Sequence, residues 1–201
     1  MHICICLRGI HYSDDTIIAD YRKSLNNYRD YIINPLKSLG HTIDIMIFTY
    51  DSTIINQLIF DYDPCGKVIL VNSDRYIDTS WNRQLIFHNY SIKAIKNRED
   101  IMKYKYDYII NTRFDLEFNT KITEMNIDYS MFNIAFKHSS GNCDDNLWIF
   151  PGVMIDEFES AINNLYKNSQ MTHEINKYIP IINYMYETQN TYLYWSFLRS
   201  K

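Results

Sequence analysis

Tyr106-Asp107-Tyr108-Ile109-Ile110-Asn111-Thr112-Arg113-Phe114-Asp115-Leu116-Glu117-Phe118 is the segment on which the fold turns. Its first eight residues read as a strand, and the acidic residues follow at its carboxyl end, where open α/β sheets hold their ligands. Upstream, Trp81, Leu85, His88, Ile92 and Ile95 form one apolar stripe, predicting a helix from Asp78 to about Arg98 that feeds this strand. Further back, Ile3, Ile5 and Leu7 alternate with Cys4 and Cys6 in an opening strand that ends at Arg8-Gly9. A helix capped by Ser13, Asp14 and Asp15 then carries Ile17, Tyr21, Leu25, Tyr28 and Ile32 on one side. Asn34-Pro35 breaks or restarts it, and Gly40 closes it. Ile43, Ile45 and Ile47 mark a second strand, Ile54, Leu58 and Tyr62 a helix, and Val68 to Val71 a short buried strand. This strand-helix alternation predicts an α/β fold with a parallel sheet covered by helices.

After Phe118 the pattern changes. Asn133 to Phe136 and Leu147 to Phe150 read as strands on either side of the turn-rich Ser139-Ser140-Gly141-Asn142, and from Met154 onward the chain reads as mostly helical with Pro180 as a break. A length of 201 residues fits a single domain. We divide it into a ligand-binding half, residues 1–118, and a second half, residues 119–201, that completes a cleft.

Composition narrows the function classes. Lys+Arg of 20 against Asp+Glu of 24 leaves a net charge of −4, which gives no general attraction for a polyphosphate backbone, so nucleic acid is not the expected partner. Cys4, Cys6, Cys65 and Cys143 contain no CxxC pair, so reduced thiols and a cytoplasmic location are expected. The apolar start before Arg8 is too short for a signal-peptide core or a membrane span. The six histidines lack metal-ligand spacing, and G-x-S-x-G, P-loop and G-x-G-x-x-G motifs are missing from the sequence; zinc enzymes, serine hydrolases, P-loop NTPases and typical dinucleotide oxidoreductases lose their basis.

The remaining chemistry is acidic and arginine-linked. In an extended strand, Asp115 and Glu117 would project to one face and share a divalent cation, Mg²⁺ or Mn²⁺, which favours oxygen ligands and keeps positions open for substrate phosphates. Arg113 stands two residues before Asp115. Arg8 suits pairing with phosphate, and Gly9 a close approach of backbone to a nucleotide. Asp51, ending the second strand, suits a ribose hydroxyl or base edge, or else a cap for the next helix. Arg83, on the long helix, would reach a diphosphate if that helix borders the cleft.

Residues Tyr106 to Leu116 resemble the YD-x-hydrophobic-hydrophobic-x-x-R-x-D-L signature of GT-A-type glycosyltransferases, and are similar to the WavE polysaccharide-synthesis type and its giant-virus relatives. The likeness extends to Arg8-Gly9, the helix from Asp78 to Arg98, Asp144-Asp145 before an apolar strand, and Thr172-His173-Glu174. It implies a GT-A-like, Rossmann-like mixed sheet flanked by helices, and a nucleotide-diphosphate sugar as donor. It further implies Mn²⁺ or Mg²⁺ on the donor diphosphate, and transfer to a glycan, lipid or protein hydroxyl. The acidic motif is Asp-Leu-Glu where the family has Asp-x-Asp, a departure that falls on Glu117. In an inverting transfer, a base must take the proton of the acceptor hydroxyl as it attacks the anomeric carbon, and a carboxylate suits that task. Asp145 and Asp144 are equal candidates for this base; Glu174 is a third. A cap on a turn or on a helix is the competing role for each of them. The alternatives from other classes are an inactive module binding a glycan or protein through the same cleft, and a nucleotidyltransferase, whose usual glycine-rich loop the sequence lacks.

Overall fold

The alternation read in the opening strand divides the molecule. In β1 (His2–Arg8), Ile3, Ile5 and Leu7 face one hydrophobic layer while Cys4 and Cys6 face the other, and all five are buried. A computed structural model describes residues 1–12, 20–70, 80–187 and 193–194. The expected cap at Ser13 to Asp15, with Ile17, Val71 and Asp78, lies outside the described residues. The elements used below are α1 (Arg22–Tyr28), α2 (Asn34–Ser38), β2 (Thr42–Tyr50), α3 (Ile55–Tyr62), β3 (Gly66–Leu70), α4 (Ser80–Met102) and β4 (Tyr108–Arg113). They continue with β5 (Glu117–Phe118), β6 (Phe132–Ile134), β7 (Leu147–Pro151), α5 (Ile155–Lys167), β8 (Ile182–Tyr184) and β9 (Leu193–Tyr194).

The main sheet has seven strands in the order β3-β2-β1-β4-β7-β6-β8. β1, β2, β3 and β4 are mutually parallel, as the strand-helix alternation predicts. β7 runs antiparallel to both β4 and β6, and β8 is parallel to β6. The fold is therefore α/β with a mixed sheet flanked by helices. Strands from both halves of the chain join one sheet. Two expectations need correction: residues 182–184 form a strand where the sequence read as helix, and β3 is a half-buried edge strand instead of a fully buried one.

Pro35 does not end the first helical segment. A π-helical turn over Arg29–Ile33 precedes it, in which the Asn34 N–H donates to the Arg29 carbonyl, and α2 continues directly. The wider turn accommodates a proline that lacks an N–H and crowds the carbonyl four residues back. Gly40, at φ +80°, then closes the segment.

One layer beside the sheet contains Tyr21, Leu25, Tyr28 and Ile32 with Leu58 and Tyr62; the other contains Leu85, Ile92 and Ile95 of α4 with Phe158, Ile162 and Leu165 of α5. At the edge opposite the strand carboxyl ends, Asp44 accepts hydrogen bonds from the Tyr106 hydroxyl at 2.6 Å, the Tyr104 hydroxyl at 2.9 Å and Arg98 Nε at 3.3 Å. Burial opposes its charge, but these three donors win and hold the carboxyl below its usual range. A depressed folded-state value means the stabilisation is full above the unfolded value and fades as pH falls through the folded one. Asp44→Asn is accordingly expected to lose about 2 kcal/mol at pH 7. The gap to wild type should shrink below about pH 4 in urea unfolding curves.

Candidate functional site

Parallel strands bring their carboxyl ends to one edge, so Arg8, Tyr50, Leu70 and Arg113 end together there. β7 runs the other way, with Leu147 opposite Thr112, so the residues just before β7 reach the same edge. Topology thus brings Asp144 and Asp145 beside Arg8, Arg113 and Asp115. The charges interact: Asp145, Arg113, Asp115 and Asp144 all act on Arg8, and Asp115 and Asp145 both act on Arg113.

β4 stops at Arg113, and the chain turns through Phe114 and Asp115 before β5 begins at Glu117. Asp115 and Glu117 therefore do not project side by side from one extended strand, which corrects the alternation argument. Asp115 instead receives Arg113 through both oxygens, Nε to Oδ1 at 2.8 Å and Nη2 to Oδ2 at 2.5 Å. Burial opposes the Arg113 charge, but Asp115, by hydrogen bonding and by charge, and then Asp145 hold it above its ordinary range.

Helix α1 builds this turn. Ser24 donates to the Phe114 carbonyl at 2.6 Å, Asn27 exchanges hydrogen bonds with the Phe118 backbone at 2.9 and 2.7 Å, and the Tyr28 hydroxyl donates to the Arg113 carbonyl. These three residues share one helical face, so a surface that reads only as an apolar stripe also carries the clamps for the acidic turn.

The two adjacent aspartates separate cleanly. Asp144 is buried, and its carboxylate accepts the Asn146 side-chain amide at 2.5 Å and the backbone N–H groups of Asn146 at 3.3 Å and Leu147 at 3.4 Å. This is the capping role, and it shapes the entry into β7. Asp145 is half-buried, and its Oδ2 accepts the Thr172 hydroxyl at 2.9 Å. That hydroxyl also lies within hydrogen-bond distance of the Gln84 amide oxygen, yet it has one hydrogen to give. Turning the Gln84 amide resolves the conflict: its NH₂ donates to Thr172, which donates to Asp145 Oδ2.

Glu174 takes the capping role that competes with catalysis. It accepts the Met171 N–H at 3.1 Å, and Lys177 donates to its other oxygen. The Lys177 contact, followed by the Met171 N–H, holds its carboxyl below the usual range. Within Thr172-His173-Glu174 it is Thr172, not Glu174, that touches the candidate base.

Arg8 is 2% exposed. Its Nε donates to Asn111 Oδ1 at 2.8 Å, its Nη2 donates to the Asp145 carbonyl, and its guanidinium lies 5.7 Å from the centre of the Trp148 ring. Burial lowers its pKa to about 10, opposed by Asp145, so it stays charged at neutral pH. Its hydrogen bonds thus run to protein, not outward as the phosphate expectation required. Gly9 has φ +103° with no atom within 4 Å of where a Cβ would stand, so its backbone meets the left-handed requirement and lies open on that side.

His11, passed over as a site residue in the sequence, ties this loop to β2. It is buried, with Nδ1 2.6 Å from the Thr49 hydroxyl and Nε2 2.8 Å from the Ser52 hydroxyl. Thr49 donates its one hydrogen to the Gly9 carbonyl at 2.8 Å, so in the neutral ring Nδ1–H donates to Thr49 and Nε2 accepts from Ser52. Ser52 Oγ also accepts the Ile54 N–H at 3.3 Å, which leaves Asp51 exposed and not needed as the helix cap. Arg83 lies on α4, and its side chain is outside the described residues.

The donor set has a definite character. Among the described residues no group of three or more His, Cys, Asp or Glu could hold a metal ion, so a closed all-protein cage is not the arrangement. Magnesium-type ions commonly take one or two carboxylates and complete their shell with substrate phosphates and water. Asp115 is a carboxylate of that kind, half-buried just past the end of β4 and beside the Arg113 guanidinium. The four cysteines, Cys4, Cys6, Cys65 and Cys143, are free thiols. Among the described residues no helix is long and apolar enough to cross a membrane. No protein-family model matches the chain, and no curated protein is similar to it.

Proposed function

We propose that this chain is a GT-A-like glycosyltransferase that moves a sugar from a nucleotide-diphosphate donor to a hydroxyl of a glycan, lipid or protein. The observation that carries the reading is one sheet edge holding two half-buried carboxylates with different partners, Asp115 on Arg113 and Asp145 on Thr172. Two carboxylates in unlike surroundings suit unlike tasks. Asp115 and Arg113 face the donor diphosphate, with Glu117 as a further carboxylate on the same segment. Asp145 takes the proton of the acceptor hydroxyl. As the acceptor oxygen forms its bond to the anomeric carbon, the bond from that carbon to the diphosphate oxygen breaks, and the electron pair leaves with the diphosphate. A Mn²⁺ or Mg²⁺ ion, when bound at Asp115, supplies charge neutralisation on the departing diphosphate.

A thermal-shift panel of UDP-, GDP- and dTDP-sugars, each with and without Mn²⁺, tests the reading. A CMP-sugar, carrying one phosphate, serves as the control. A ligand that binds only the native state raises the melting temperature by mass action. A rise that needs the metal and a diphosphate donor is the expected result, and Asp115→Asn should remove its metal-dependent part while the protein still folds, at a ligand-free melting temperature lowered by loss of the ion pair to Arg113. If every donor leaves the melting temperature unmoved even with an acceptor oligosaccharide present, the transferase reading falls and a module that binds a glycan or protein takes its place.

A further inference from the structure

Beneath the Asp144-Asp145 loop lies a buried polar column that the chemistry above does not use. His88 of α4 is fully buried and stacks on Trp148 with ring centres 4.7 Å apart and planes at 15°. Its Nδ1 lies 3.3 Å from Asn111 Nδ2. Asn111, buried on β4, accepts Arg8 Nε on its Oδ1, and Arg8 Nη2 donates to the Asp145 carbonyl. The Trp148 indole N–H donates to the preceding carbonyl, that of Asp144, at 2.7 Å. Two successive carbonyls of the loop are thus held by Trp148, which stacks on His88, and by Arg8, which is linked to His88 through Asn111.

Hydrogen-bond counting fixes every orientation in the column. Arginine only donates, so the Asn111 oxygen must face Arg8 and its NH₂ must face His88. His88 Nδ1 therefore accepts, and the neutral ring carries its proton on Nε2. Burial, and then the Arg8 cation, hold the imidazole neutral well below the usual histidine range. That Nε2 is buried, without a hydrogen-bond partner among the described residues. An apolar ring of the same shape would remove this unpaired donor but leave the Asn111 NH₂ without its acceptor, so the two effects offset and stability alone gives histidine no clear advantage.

We propose that His88 and Asn111 are positioning residues that act through Arg8 to fix the Asp145 backbone, and with it the direction of the Asp145 carboxylate. The inference rests on the reading of Asp145 as the acceptor base. It also reassigns Arg8 from a phosphate ligand to a link in the protein's own framework. The order of the chain is His88 to Asn111 to Arg8 to the Asp145 carbonyl, while Thr172 holds the carboxylate end.

The test compares His88→Phe, which keeps the stack on Trp148 but removes the acceptor, with His88→Gln, whose amide oxygen can again accept from Asn111. The proteins are labelled with ¹³C and ¹⁵N, and the Asp145 carbonyl resonance is followed beside the turnover and KM of whichever sugar donor the thermal-shift panel identifies. His88→Phe is expected to stay folded with a melting temperature close to that of wild type, to move the Asp145 carbonyl resonance, and to lower kcat about tenfold at little changed donor KM, with recovery in His88→Gln. Nitrogen shifts of wild-type His88 should report the Nε2–H tautomer. An Asp145 carbonyl resonance that stays in place in His88→Phe overturns the relay whatever the activity. A resonance that moves while kcat holds overturns the positioning role and leaves the proposed transferase standing. Absence of turnover in the wild type itself, with every donor, overturns the transferase reading and this role together.

Discussion

Asp145→Asn is expected to lower sugar transfer by about 10²–10⁴-fold, the usual contribution of a positioned general base. Donor KM should remain within about twofold of wild type, because the substitution removes a proton acceptor needed in the transition state and leaves the diphosphate side untouched. The structure gives a reason for choosing this residue over its neighbour. Asp144 spends its carboxylate on Asn146 and Leu147 N–H groups, so Asp144→Asn should act chiefly on stability. Among the described residues Asp145 Oδ2 is held by a single hydroxyl, Thr172, and the group is half-buried at the edge where the strands end. Steady-state transfer assays on both variants, with unfolding curves for each, separate the two roles. Equal loss of transfer in the two variants, or full transfer by Asp145→Asn, would remove Asp145 from the mechanism.

The second large effect concerns the fold. Gly152→Ala is expected to destabilise the protein by about 3 kcal/mol or more, near the upper range for overpacking. A Cβ at Gly152 would stand 1.8 Å from the Tyr106 carbonyl oxygen and 2.8 Å from its carbon. Backbone cannot swing aside as a flexible side chain can, and the Gly152 N–H already donates to the Asp107 carbonyl at 2.9 Å. The approach fixes where β7 hands over to α5 relative to the start of β4, so relief would require the strand pair to separate. For a chain of this size the loss corresponds to a fall of about 6–12 °C in melting temperature. Calorimetry would decide it; a fall of less than about 2 °C would mean the approach is looser than described.

Both expectations bear on how much of this protein was legible in its sequence. The period-two alternation of Ile3, Ile5 and Leu7 with Cys4 and Cys6 was enough to assign a strand with two buried faces, because a strand must send successive side chains to opposite sides. The apolar stripe Leu85, His88, Ile92 and Ile95 likewise marked a long helix, observed as Ser80–Met102. Hydrophobic period is a local property, and these elements are long enough to display it. Residues 182–184 are not: three half-buried residues after Pro180 carry no readable period, and their pairing with β6 follows from tertiary contact. The edge location of β3 is similarly invisible to a string of apolar residues, since burial on the second side depends on which strand comes next in space.

The site divides along the same line. The sequence by itself determined that Asp115 follows a buried strand and that Arg113 accompanies it, because strand polarity puts the end of such a segment at the ligand edge. It also supplied Asp144 and Asp145 as a pair without ranking them. Only the tertiary structure turned the chain at Phe114 and Asp115, gave Asp144 to Asn146 and the Leu147 N–H, gave Glu174 to Met171 and Lys177, and withdrew Arg8 into the interior. The physical reason is that a carboxylate or guanidinium carries the same chemistry wherever it stands; its role is set by which donors and acceptors satisfy it first, and only the folded backbone decides whether these are near in sequence, as for Asp144 and Asn146, or 103 residues away, as for Arg8 and Asn111.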